Sequence, residues 1–474
     1  MMKKFLAILL ASVLAVSLLL TGCGDTMSTE FEDQLKDDVY ASYDYMKSGV
    51  PTACSDDDIF RCLTKWADRH RYYHRQIPDC GLVISREASG RKKTARSDVT
   101  YQVRVDSRDR SATCKTAAIA LSVLADTREH GEITVLFTRG TKGAMHLPKK
   151  YLRASNFISL TERSTPRLFT GSAATAQYEI GKKIHYTRPE GNRAFRVSIR
   201  GCISEDSSIR DTRHAKPIVD LMDMLYECRS NGIVMQIASL NGGSRADRYP
   251  ADASCVVTVN NSEADKLKEQ LDNARVSYVE KNIKNEPDIS CTIEEVKVPD
   301  KVFSANDTAS VFSLMYTMVD GVYAREGDDA KEGEEDSRDG DITALANIGK
   351  VRTKNGQIRF GVFVRATSQS VFQEMNKAYR ETAELSDMKF RIVSTIPLWS
   401  TKKNKELSDK LVLAGQEADL TLQPSFTFMR TDASMFFQAN KDLNLVAVGI
   451  TIQQGFEIAK TLVLYNESLT DSHD

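Results

Sequence analysis

The stretch Asn241-Gly-Gly-Ser-Arg-Ala-Asp-Arg-Tyr-Pro250 constrains the fold more than any other part of this chain. It follows an apolar run, Ile233-Val-Met-Gln-Ile-Ala-Ser-Leu240, and precedes an alternating one, Ala253-Ser-Cys-Val-Val-Thr-Val259. Paired glycines open backbone conformations that other residues avoid, and proline closes the turn. The pattern therefore predicts two strands joined by a long, built tip. Read alone, an ordinary hairpin loop satisfies it equally well.

The surroundings widen the unit. Ala194 to Arg200 reads as a strand, His214 to Cys228 as a helix, Ala264 to Asn282 as a helix and Ser290 to Val296 as a strand. With the hairpin this is β-α-β-β-α-β, a ferredoxin-like unit. A looser second copy follows: helix Thr308 to Met318, strands Ala344 to Thr353 and Gln357 to Ala366, helix Ser370 to Leu385, strand Lys389 to Ser394. Between the copies, Arg325 to Asp341 holds nine acidic and three basic residues and reads as a solvated loop. On either side the pattern is that of an α/β sheet. Helical periodicity covers Asp33 to Ser48 and Asp56 to His70, and strand runs lie at Leu82 to Ile84, Val99 to Val105, Glu132 to Phe137 and Asn156 to Leu160. After Pro397 the α/β character returns, with strand-like Leu443 to Val448 and a closing helix at Gly455 to Leu464. The expected layout is a first α/β part at 33–193, an inserted α+β lid at 194–396 with its acidic loop at 325–341, a second α/β part at 397–465 and a tail at 466–474.

A chain of 474 residues exceeds one simple core, and 41% hydrophobic with 27% charged residues is ordinary for a globular protein. A net charge of -1 offers no basis for nucleic-acid binding. The start is different in kind. Met1-Met-Lys-Lys4 is basic, Phe5 to Leu20 is apolar, and Leu20-Thr-Gly-Cys23 matches a bacterial lipobox. That predicts a signal peptide at 1–22, lipid on Cys23 and a short tether at 23–32, with the protein held on a membrane and facing away from the cytoplasm. Several acyl chains, at about 0.8 kcal/mol per buried methylene, make such anchoring stable. Eight further cysteines, four in each half of the chain up to Cys291, are compatible with disulfides outside the cell and equally with buried thiols.

The order N-G-G-S-R-x-D-x-Y-P-x-D-A, with the elements on both sides, resembles the M20 metallopeptidases, in particular the aminoacyl-histidine dipeptidase branch, from about Asp33 to Tyr465. The resemblance implies a zinc-exopeptidase-like α/β domain and an inserted lid of two ferredoxin-like units. It also implies two zinc ions in the α/β domain and peptide substrates. Asp320-Gly-Val322 and Ala346-Asn-Ile-Gly-Lys-Val351 sit where that branch has N-G-V and L-N-L-G-V-V. The ligand positions depart from the family. Its H-x-D falls on Arg104-Val-Asp106, its bridging aspartate on Ala112, its L-D-S ligand on Thr161 and its last histidine on Phe456. Its D-E-E is missing where Phe137-Thr138 runs into Arg139-Gly-Thr-Lys-Gly-Ala144. The lid histidine falls on Asp206, while Asn241 and Arg365 fall where the lid holds substrate backbone and carboxylate. On their own, those two read as a loop-capping Asn and a strand-surface Arg.

Zinc needs imidazole and carboxylate donors, and cations among them repel it. The sequence therefore predicts a degenerate M20 peptidase-like protein with no catalytic residue and no cofactor, binding small peptides or an envelope protein as a ligand-binding or scaffold module. An active or divergent metallo-dipeptidase, with zinc, is the first alternative, and a structural envelope lipoprotein the second. The anchoring expectation has a direct check: Cys23→Ala should leave the precursor without lipid. Metabolic labelling that still reaches the variant contradicts it.

Overall fold

The structure, a computed structural model, describes residues 28–89, 97–125, 128–207, 214–326, 341–429 and 431–469. Cys23, the signal peptide, half of the tether, most of the acidic loop and the end of the tail lie outside them. The chain divides into two compact units, one of 28–168, 404–424 and 443–469, the other of 169–403 and 425–442. No helix among the described residues is long and apolar enough to cross a membrane.

The first unit begins with helices Thr29–Gly49 and Asp56–His70. The second is started by a capping box in which Ser55 and Asp58 exchange hydrogen bonds, and it stops at Arg71, whose left-handed φ of 57° breaks the helical path. Strands β1 (Tyr73–Ile77), β2 (Gly81–Arg86), β3 (Val99–Val105), β4 (Ile133–Arg139) and β5 (Asn156–Glu162) follow. β3 pairs in parallel with both β4 and β5, while β2 runs antiparallel to β4 and to β1. Helix Arg110–Ala125 links β3 to β4 and is buried almost all round from Thr113 to Leu124, as a helix covering a parallel sheet must be. His70 and His74, four apart, do not share a helix face: His70 ends the helix and stacks on Trp66, and His74 lies in β1 and meets Asp68 at 2.9 Å.

The second unit starts inside β6 (Arg167–Ser172) and continues with β7 (Ala174–Lys183), β8 (Tyr186–Thr187) and β9 (Arg193–Arg200). After helix Pro217–Ser230 come β10 (Met235–Gly242) and β11 (Ala253–Val259). Helix Asn261–Asn282 then leads to β12 (Ser290–Val296). Strand β13 (Val302–Phe303) pairs back with β8. Helix Ala305–Thr317, β14 (Gly321–Arg325), β15 (Ile342–Lys354), β16 (Gln357–Ala366), helix Gln369–Leu385 and β17 (Lys389–Ile396) complete the large sheet. Short strands β18 (Trp399–Ser400) and β19 (Pro424–Thr427) both pair β6.

The large sheet runs β12-β9-β11-β10-β15-β16-β7-β17. Its first four strands are one ferredoxin-like unit and its last four the other, in mirrored order. The second copy takes β7 as its first strand, although β7 precedes the whole first copy in the sequence. The first copy is thus nested between β7 and helix Ala305–Thr317, and the β8–β13 ladder forms its neck. Lys182 of β7 fixes that assignment: its ammonium meets Asp307 of the helix at 2.7 Å with both side chains buried. The lid is therefore longer than 194–396 because its alternating strand at 174–183 belongs to the same sheet. Finally β20 (Leu445–Ile450) returns to the first unit and pairs in parallel with β5, Leu445 opposite Phe157. All eight described cysteines are free, and burial pushes the Cys114 thiol up to about 11 and Cys202 to about 12.

The hairpin tip lies on the sheet rather than in solvent. Asn347 of β15 donates to the carbonyls of Ala246 at 2.7 Å and Arg248 at 2.8 Å. A Cβ at Gly349 would collide with the carbonyl oxygens of Arg245, Ala246 and Arg248. Gly349→Ala should therefore destabilise the lid by about 1–3 kcal/mol, where Gly→Ala at an open site stabilises. The denaturant midpoint reports the sign, and an unchanged or raised midpoint contradicts this contact.

Candidate functional site

The residues singled out in the sequence fall into one cluster in the first unit and an Arg365–Asp206 pair in the second, with Asn241 apart from that pair. In the first unit they gather at the carboxyl ends of the parallel strands, the edge where open α/β sheets place ligands. Arg104 is the next-to-last residue of β3 and Asp106 follows its end, and Val103 lies opposite Leu160, so Arg104 stands abreast of Thr161 on β5. Thr161 lies opposite Gly449 of β20. Ala112 sits in the first turn of helix Arg110–Ala125, where its N–H faces Asp109 at 3.3 Å. Phe456 is the second residue of helix Gly455–Ser468 and packs its ring against the hydrophobic core.

Asp106 is the one carboxylate among these five, and it is already engaged. Arg104 Nη2 donates to it at 3.0 Å, Arg108 Nε and Nη2 at 2.9 Å each, and the Arg108 N–H at 3.1 Å. Its side chain is 13% exposed, against 42% for Arg104. The Arg108 guanidinium foremost, helped by Arg104, holds the Asp106 carboxyl down at about 2 although burial pulls the other way. Arg139, at the end of β4, turns to helix Asp56–His70, where it pairs with Asp57 and lies 4.9 Å over the Phe60 ring. Asp56 accepts from the Ser107 N–H at 2.7 Å, and Lys115 meets Glu162 at 2.9 Å. The charged groups of this edge are thus paired with one another.

Two zinc ions need several imidazole and carboxylate donors around them. Arg104, Asp106, Ala112, Thr161 and Phe456 supply one carboxylate, held by two guanidinium groups, and they do not fit a zinc pair. Among the described residues no group of three or more His, Cys, Asp or Glu side chains could hold a metal ion. Arg108 was not singled out in the sequence, although its spacing from Asp106, two residues on, was visible there.

In the lid, Arg365 of β16 and Asp206 meet. Arg365 is 1% exposed, its Nη2 donating to Asp206 at 3.0 Å and its Nη1 to Ser207 Oγ at 2.8 Å, with its guanidinium 4.5 Å over Phe363. It is a buried arginine, not a strand-surface one. Asn241 lies elsewhere, near the end of β10, where its Oδ1 accepts from the Thr353 N–H at 3.0 Å and ties two strands together. The hairpin tip adds Arg245, chelated by Asp247 at 2.9 and 2.7 Å. His214 sits between Glu205 at 2.6 Å and Glu286 at 3.3 Å and stacks on Tyr249. Glu286 lies 72 positions from His214, and no local signal marks the contact.

No family model and no curated protein sequence matches this chain. Solved structures do. The aminoacylhistidine dipeptidase of Vibrio alginolyticus superposes with a TM-score of 0.72 at 16% identity, covering 91% of this chain and 96% of that one. A tripeptidase of Staphylococcus aureus superposes with a TM-score of 0.52 at 10% identity, covering 92% and 98%. Identity this low carries the fold and not the chemistry. The chain has the M20 peptidase fold: an α/β domain interrupted by a lid of two ferredoxin-like units.

Proposed function

We propose that this protein is a catalytically inactive relative of the M20 dipeptidases, lipid-anchored through Cys23 outside the cytoplasm, where it acts as a peptide-binding or scaffold module. The observation that carries the reading is the Arg104–Asp106–Arg108 cluster. A metal site polarises a water molecule with its own positive charge, and the donors around it must be negative or neutral. Here the strand end carries two guanidinium groups that satisfy the remaining carboxylate, and the neighbouring positions offer a methyl group, a hydroxyl and a phenyl ring. The likeness of fold to an aminoacylhistidine dipeptidase supports peptide-like ligands, and the leader supports the location.

The scaffold branch gains from the lid. Asn241 and Arg365 spend their hydrogen bonds inside the sheet and on Asp206 and Ser207, so both hold the lid's own structure. Loss of Arg365 acts first on stability, because truncation takes a donor from the buried Ser207 hydroxyl and opens a cavity.

Two outcomes follow. The purified chain should not hydrolyse Xaa-His dipeptides, with or without added zinc, and turnover abolished by a chelator contradicts the proposal. Asp106→Asn should cost about 1–2 kcal/mol of stability at neutral pH, discounted for the exposure of both arginines. The folded carboxyl lies near 2 and the unfolded one near 3.8, so the contribution is complete above the unfolded value. It is lost as pH falls through about 2. Urea unfolding across that range checks it, and a penalty that stays constant into acid contradicts the charge-based origin.

A further inference from the structure

The open face of the lid sheet, opposite its helices, holds a groove of about 560 Å³ beside the hairpin tip. This volume lies within the range of ligand sites. Gly361 lines its floor. Gly361 stands between Lys350 on β15 and Glu179 on β7, and Gly181 stands opposite Arg359, so two rows of side chains are interrupted. A Cβ at Gly181 would collide with the Ile358 carbonyl, and one at Gly361 would press on Ala246 of the tip.

The walls are basic. Lys350, Arg352 and Lys354 alternate along β15, all on this face, and Arg359 stands directly across from Arg352. Arg352 is clamped by the carbonyls of Gly242 and Gly243, which orient its guanidinium without neutralising it. Among the described residues, neither Lys350 nor Lys354 has an ion pair with an acid. The carboxylate in the wall, Glu179, is already shared between Arg391 at 3.0 Å and Arg359 at 3.8 Å.

We propose that this groove binds an extended acidic peptide whose carboxylates occur at alternate positions. Residues two apart on a strand project the same way about 6.6 Å apart. The three β15 cations therefore match the carboxylates of a peptide lying along them in extended form. A single-stranded phosphate polymer fits less well, because such polymers are held by bases stacked on exposed rings. The rings that line the groove, Tyr178 and Phe360, are both buried. The inference deepens the peptide-binding half of the proposed function but uses none of the zinc positions. A chain found to hydrolyse dipeptides would leave the groove standing, and the converse holds too.

Calorimetry on the purified chain tests it. The probes are acetyl-Glu-Ala-Glu-Ala-Glu-amide, a contiguous isomer acetyl-Glu-Glu-Glu-Ala-Ala-amide, and a single-stranded oligonucleotide. The alternating peptide should bind best and weaken as salt is raised. The double variant Lys350→Ser, Lys354→Ser, which removes side chains without internal partners, should weaken it roughly tenfold. Arg245→Ala, at the groove's other wall, provides a second variant if the first unfolds. Equal binding of the two peptides, binding unaffected by these variants, preference for the oligonucleotide, or no binding at all overturns the proposal.

Discussion

A carboxylate at the carboxyl end of a buried parallel strand needs a positive partner, because low local dielectric makes an unpaired charge costly. Asp106 is that carboxylate, and its partners are Arg104 and Arg108. The neighbouring charges follow suit: Arg139 turns to Asp57, and Lys115 to Glu162. A divalent cation entering here would meet guanidinium groups at close range, each repelling it by about 4 kcal/mol or more at an effective dielectric near 20. The same sheet edge can therefore be kept, with its strand order, while losing the electrostatics that metal chemistry requires.

The lid makes a parallel point about arginine. Arg365 has the residue type and strand position for gripping a carboxylate, and it does hold one, that of Asp206 in the same lid. The hairpin tip, pinned over β15 by Asn347 and by the missing side chain of Gly349, forms one wall of a basic groove that has no such internal partner for Lys350 or Lys354. Charge that is satisfied internally builds structure, and charge left facing solvent is what a ligand can use.

Much of the fold was legible in the sequence because its signals are local. Ser55 and Asp58 mark a helix start, and the alternation of Val99 to Val105 marks a strand. The first ferredoxin-like copy could be read because its elements are consecutive. The second could not be completed, since its first strand, β7, lies before the other copy and only the ladder reunites them. His70 and His74 stand four apart, but the left-handed Arg71 between them ends the helix, so that spacing does not place them on one helix face. At the candidate sites, the residues standing at the family's ligand positions were legible, but not their partners. Asp206 lies 159 positions from Arg365, and no local pattern links them.

Under the proposed function, the strand end at Asp106 is neutralised from within by Arg104 and Arg108. An equilibrium zinc titration of the purified chain at neutral pH, followed by calorimetry, tests it most directly. Weak, unsaturable heats without a stoichiometric site are expected. Saturable binding of two zinc ions per chain, lost in Asp106→Asn, would contradict it.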